Sequence, residues 1–317
     1  MGDLRVAVIG TGVISEALVK NLALLGVDGI DAIGGDFWET LSLGRLQDYE
    51  CAVTVVDDPE SRLKLNQMCL IAGTDLVTAS VDGRWVTVEC FPFGSSANPA
   101  CLECNLPDEA YVRIAECYTS EGLRRKTHAV TADADGVAPF AADAAGAAAA
   151  EAAHGLSHEE SPPARRRVLD AIAGTSSITR LERREQCPVC EPFQMTPRVV
   201  RTRNRWSPRV EGIPGDRQHV DQALRLSDGL ITRYECKACG PLLEAANFVN
   251  RRAAEFDDSI TQCPRCGAPE VHVEIRDAFL LGELMGRFGD TPVPAKYAIT
   301  DSPGGPVCFD LEAVVPS

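Results

Sequence analysis

Eight of the thirteen cysteines in this chain fall in four Cys-x-x-Cys pairs: Cys101/Cys104, Cys187/Cys190, Cys236/Cys239 and Cys263/Cys266. Such a pair on a tight turn presents two thiolates to one tetrahedral ion, and two pairs complete a closed four-cysteine site. The last two pairs are 23 residues apart (240–262), and YECKACG and QCPRCGA each put a glycine directly after the second cysteine, where the turn calls for positive φ. This is a zinc-ribbon pattern. Four sulfurs leave no open coordination position, so its role is structural. The first two pairs are 82 residues apart (105–186), too far for a local finger. They read as a clamp across one domain; regrouping of the four pairs, or a redox-active pair, are the alternatives.

A second chemical signal lies at the start of the chain. RVAVIG (5–10) is a short apolar run ending in glycine, and Gly12 and a helical pattern over 15–25 follow it, with Leu18, Leu22 and Leu25 on one face. Strand, glycine turn and helix open a nucleotide-binding α/β unit. Asp36 lies 21 residues beyond Ser15, near the distance at which an acidic residue meets a ribose, and reads equally as a loop residue. Asp57–Asp58, after the apolar stretch Cys51–Val56, reads as an acidic turn at a strand end. The five histidines show no ligand spacing in this reading and count as scattered surface or loop residues.

The elements that must position these residues follow from periodicity. Strands are expected near 30–34, 51–56, 75–79 and 85–93, with a short helix over 38–47 and a longer one over 62–72, forming a mostly parallel sheet with helices on its faces. Residues 139–156 form a helix of small residues able to pack closely, 157–167 an exposed linker carrying Glu159 and Glu160, and 167–181 a hairpin. The fold class is therefore α/β, Rossmann-like, with a zinc-clamped return segment and a small α+β unit built on the ribbon. The expected boundaries are a nucleotide-binding domain over 1–195, an Arg/Pro-rich linker over 196–220 and a zinc-ribbon domain over 221–317.

Composition sets outer limits. With 317 residues, 45% apolar, 24% charged and a net charge of −15, the chain reads as a two-domain soluble protein. The acidic balance argues against nucleic acid or anionic lipid as the main partner. No signal-peptide pattern opens the sequence, and no apolar run reaches the ~20 residues of a membrane helix. Ala141–Ala153 is too short and carries Asp143 and Glu151. A cytoplasmic location is the expectation, and the paired cysteines then read as metal ligands rather than disulfides.

The ordered set VAVIGTGVISEALVKNLALLGV, the stretch from YECAVTVVDDPESR to FPFG, ACLECNLP, GVAPFAADAAGAAAAEAA and RRVLDAIAGTSSITRLERREQCPVC resembles the ThiF/MoeB/ubiquitin-activating-enzyme family over residues 5–190. That family adenylylates the C-terminal glycine of ubiquitin-like proteins. The resemblance implies that Cys101, Cys104, Cys187 and Cys190 bind one structural zinc, giving two Zn2+ with the ribbon. Gly10 and Gly12 would form the phosphate-facing turn, and Asp57 would help to hold Mg2+ and ATP. A homodimer, or a heterodimer with a related subunit, and a small protein or peptide with a free C-terminus are the partners it implies.

The departures from the family matter as much. Only GDFWETLSLGRLQD separates the second strand from Tyr49, so most of the family's ribose- and triphosphate-binding segment is missing, and Arg45 is the only basic residue left there. Thr131 stands where many relatives carry a transfer cysteine; Cys117 is the nearest spare thiol and a candidate nucleophile. Cys51, Cys69 and Cys90 read as core packing. Arg198, Arg201, Arg203, Arg205 and Arg209 could receive an acidic tail or phosphate, or form a solvated segment. The leading reading is ATP-dependent carboxylate activation within a complex. Its rival is a catalytically degenerate scaffold that binds a substrate peptide, leader peptide or partner for another enzyme. A nicotinamide-dependent reductase ranks third, since GTGVIS partly fits the dinucleotide turn but no hydride-transfer site follows.

Overall fold

The computed structural model describes residues 4–107, 139–187, 189–191, 198–201, 220–241, 249–255, 262–269, 271–302 and 304–311. Cys117, Thr131, Arg203, Arg205 and Arg209 lie outside them, as do the side chains of Arg198 and Arg201. The chain divides into two compact units. Of the described residues, the first holds 4–106 and 139–191 and the second those from 198 onward.

The first unit is built on a seven-stranded sheet. In chain order its strands are β1 (Arg5–Ile9), β2 (Gly29–Ile33), β3 (Cys51–Thr54), β4 (Asp75–Asp82), β5 (Trp85–Phe91), β6 (Arg165–Asp170) and β7 (Thr175–Arg180). Their spatial order is β2-β1-β3-β4-β5-β6-β7. β2, β1, β3 and β4 pair in parallel, while β4 to β7 pair antiparallel, with tight turns joining β4 to β5 and β6 to β7 and a long excursion through the helix Pro139–Leu156 between β5 and β6. The parallel half alternates strand with helix, as crossover connections require. β6 already begins inside the stretch expected as a linker, because Arg165, Arg166 and Arg167 pair with Cys90, Glu89 and Val88.

Helices α1 (Val13–Leu24), α2 (Phe37–Thr40), α3 (Leu43–Leu46), α4 (Pro59–Ala72) and α5 (Pro139–Leu156) flank this sheet. The single helix expected over 38–47 is two separate turns, because Asp36 and Ser42 each cap a new start with a side-chain oxygen. α4 carries the usual punctuation: Asp58 as N-cap, Pro59 in the first turn, and Gly73 at φ 71° closing the last. α1 and α5 bury one core with Val6, Val8, Val53, Val77, Val86 and Val88. A Cβ on Gly146 would lie 2.6 Å from both the Ala17 Cβ and the Leu18 backbone nitrogen, so only glycine permits that helix approach.

The second unit contains β8 (Arg198–Arg201), β9 (Ala223–Cys236), β10 (Gly240–Pro241), β11 (Val271–Leu280), β12 (Tyr297–Ser302), β13 (Gly305–Asp310) and the helix α6 (Leu281–Phe288). The order β10-β9-β12-β13-β8 defines its sheet, with β11 also paired to the long β9. Leu224, Leu230, Phe279, Leu284, Phe288 and Phe309 share one apolar core, and Ile231, Tyr234, Cys236, Cys263 and Val271 form a second around the ribbon.

Candidate functional site

Both cysteine groups assemble as their spacing suggested. In the first unit, Cys101 Sγ lies 3.8 Å from Cys104 Sγ and 3.6 Å from Cys187 Sγ, and Cys104 Sγ lies 3.6 Å from Cys190 Sγ. Four sulfurs at a Zn–S distance of about 2.3 Å sit on a tetrahedron with edges of about 3.8 Å, whereas a disulfide would bring two of them to about 2 Å. In the second unit, Cys236–Cys266 and Cys239–Cys263 are each 3.6 Å apart. Gly240 (φ 88°) and Gly267 (φ 71°) take the positive φ anticipated after each second cysteine. The donor sets therefore suit two zinc ions, four thiolates each. In the first group, hydrogen bonds among the sulfurs hold the Cys104 thiol below its ordinary range and push Cys101 and Cys190 above it, so the four share their protons as one cluster.

The other buried thiols behave as packing groups. Burial pushes the Cys90 thiol up to about 11, and Cys51 and Cys69 are likewise raised by burial. Cys308, on β13, is also buried and raised.

The glycine turn occupies the carboxyl end of the parallel strands. Gly10 (φ 116°) and Gly12 (φ 119°) adopt conformations closed to L side chains without strain, and Gly12 is the N-cap of α1 with no side chain to cover its free N–H groups. Ser15 anchors the turn by donating to the Gly12 carbonyl at 2.7 Å. A Cβ on Gly10 would meet Val55 and Val56, so this turn lies directly against the end of β3, where the exposed Asp57 follows. β1 connects outward to β2 on one side while β3 lies on the other. The turn and Asp57 therefore flank the crevice where the strand order reverses, the position at which open α/β sheets take ligands.

The remaining candidates are engaged elsewhere. Asp36 Oδ1 accepts from the Trp38 N–H at 2.9 Å, Asp58 Oδ2 accepts from the Ser61 N–H at 2.8 Å, and Arg45 Nη1 donates to the Thr40 carbonyl at 3.2 Å.

Two groups that sequence reasoning passed over hold this region together. Glu89, 4% exposed on β5, accepts from Arg62 of α4 at 3.2 Å and from Arg166 of β6, whose Nη2 lies 2.7 Å away, with the Thr78 hydroxyl adding a third contact at 3.2 Å. This network ties the helix after Asp57 to three strands. The signal was a lone carboxylate in the apolar strand WVTVECF. Buried Asn66 accepts from the Leu102 N–H at 3.0 Å, and Gln67 donates to Glu103 at 3.2 Å; together they seat the turn between Cys101 and Cys104. His154 and His158, read as surface residues, stand one helical turn apart at and just beyond the end of α5, with their Nε2 atoms in hydrogen-bond contact at 3.2 Å.

A Rossmann-like sheet with a glycine turn at its switch point and a four-cysteine clamp on its return segment defines the class of this fold as open, doubly wound α/β. Residues 42–189 match the model of the ThiF family. Comparison with curated proteins finds no match. Similar solved structures include a heterocyclase in complex with substrate and cofactor (18% identity, 59% of this chain and 25% of that one, TM-score 0.38). They also include the heterocyclase TruD (15%, 60% and 28%, TM-score 0.40) and E. coli MccB with ATP (12%, 60% and 67%, TM-score 0.43). The chain spans about a quarter of those heterocyclases and about two thirds of MccB. Among the described residues, no helix is long and apolar enough to cross a membrane.

Proposed function

We propose that this chain acts as a ThiF-type adenylyltransferase within a complex, activating the C-terminal carboxylate of a peptide or ubiquitin-like carrier with Mg2+ and ATP. One observation carries the reading: the Gly10–Gly12 turn at the α1 N-terminus and the exposed Asp57 flank one crevice at the β1/β3 switch point. The carboxylate oxygen attacks the α-phosphorus, the bond to the β-phosphate oxygen breaks, and acyl adenylate and pyrophosphate result. The chain contributes N–H groups and a helix terminus against the phosphates and Asp57 toward Mg2+. The two zinc ions are structural, closed by four sulfurs each, and take no part in this step. The domain over 1–195 holds the nucleotide, and a related subunit completes the site.

A second reading has its own observation. Asp36 and Arg45, the residues left to replace the family's ribose- and triphosphate-binding groups, are engaged locally, Asp36 Oδ1 in a helix cap and Arg45 Nη1 on the Thr40 carbonyl. That favours a scaffold which keeps the fold and the clamp while binding a substrate peptide for another enzyme.

Calorimetric titration of Mg–ATP into the full zinc-loaded chain, with Asp57→Ala alongside, separates the two. Saturable binding lost in the variant supports activation, and pyrophosphate exchange stimulated by a peptide with a free C-terminus completes the case. Absence of binding by either protein, with and without a co-purified partner, overturns it in favour of the scaffold.

A further inference from the structure

We infer that the amino-terminal edge of the first unit's sheet holds a binding site for a late first-row divalent cation, chelated by His154 and His158. Both rings line a cavity of about 500 Å3 together with Asp28, Glu50 and Asp75. Leu4 and Glu50 directly precede β1 and β3, and Asp75 begins β4, so this cavity sits at the edge of the sheet opposite Gly10 and Asp57. It shares no residue with the cysteine clamp.

Three features favour a cation. The Nε2 atoms are 3.2 Å apart, in hydrogen-bond contact with each other where no ion lies between them. At a metal–nitrogen distance of about 2.0–2.1 Å that separation subtends an angle of about 100°, between the octahedral and tetrahedral values. The pair lies at the carboxyl end of α5, where the helix's partial negative charge stabilises positive charge. Apart from the buried Cys51 thiol, the cavity's other ionisable groups are carboxylates, which repel a phosphate or an organic acid and attract a metal. Glu50 Oε2 accepts from the Arg5 N–H and Asp75 from Gly94 and Ser95, so those two supply field rather than ligands. With two imidazoles bound, the remaining coordination positions open onto the cavity and are filled by water or a small ligand. Imidazole donors select Zn2+, Ni2+ and Cu2+ over Mg2+ or Ca2+.

Nickel tests this without involving ATP. The full chain is loaded with Zn2+, dialysed until only about two zinc ions, those of the cysteine groups, remain, and titrated with Ni2+ by calorimetry, with zinc per chain measured again after gel filtration. The expected result is about one equivalent of Ni2+ bound without zinc release, weakened at least about tenfold in both His154→Gln and His158→Gln. His158 is exposed beyond the last turn of α5, so its substitution leaves the fold intact, checked by circular dichroism. No saturable uptake, uptake matched by zinc release, or uptake unchanged in both variants overturns the site.

Discussion

Replacing Glu89 with glutamine should cost the first unit about 2–3 kcal/mol. The carboxylate is 4% exposed and faces two guanidiniums, Arg62 at 3.2 Å and Arg166 at 2.7 Å. Glutamine keeps the shape but offers one acceptor and turns an N–H2 donor toward the other guanidinium. Removing one partner of a buried ion pair costs about 3–5 kcal/mol. Here Arg62 and Arg166 are 21% and 39% exposed, so water recovers part of that loss and the lower figure follows. For a unit of this size each kcal/mol moves Tm by about 2–4 °C, giving a fall of about 4–12 °C. Thermal unfolding by circular dichroism of the zinc-loaded chain measures it. Glu182→Gln is the control, since its pair with Arg180 is more than two-thirds exposed on both sides, and it should move Tm by no more than about 1 °C. The double variant Glu89→Gln/Arg62→Met should show coupling, losing less than the sum of its parts. A Glu89→Gln shift as small as the control's would refute the reasoning.

Metal analysis should find about two zinc ions per chain, and Cys187→Ser should remove one and lower the first unit's Tm; fewer than about one in the parent chain would sink clamp and ribbon together. Gly146→Ala should lower Tm despite alanine's better helix propensity, because overpacking against the Ala17–Leu18 backbone costs about 1–3 kcal/mol against a gain of about 1; an unchanged or raised Tm would mean that the helices separate freely. Asp75 is held above its ordinary 3.8 by burial, against opposing hydrogen bonds from Ser95 and Gly94. Its folded form therefore binds the proton more tightly, and its contribution is full below pH 3.8 and declines as pH rises through the higher folded value. The Tm of the parent relative to Asp75→Asn should accordingly fall between about pH 4 and neutrality; a rise over that range would contradict the sign.

Much of the molecule was legible in its residues. The Cys-x-x-Cys spacings announced four ligand pairs, and the trailing Gly240 and Gly267 marked the ribbon, because turn geometry is local: two residues between ligands and a positive φ after them leave little freedom. The four parallel strands and α5 were legible for a related reason, since apolar periodicity records which face each element must bury. The linker that becomes β6 was misread because its arginines look solvated in isolation. In the sheet, Arg166 reaches Glu89, which lies 77 positions away in the chain.

What tertiary structure alone decided is which polar groups remain free. Asp36, Asp57 and Asp58 are indistinguishable as residues near strand ends, yet two are spent as helix caps and the third is exposed at the switch point. The same holds for Glu89, Asn66 and the His154–His158 pair, whose partners or surroundings come from distant segments. The sequence states which groups exist and where the chain turns. Folding determines which of them find partners, because hydrogen bonds and ion pairs need contact within a few ångströms, and only the assembled sheet brings these segments together.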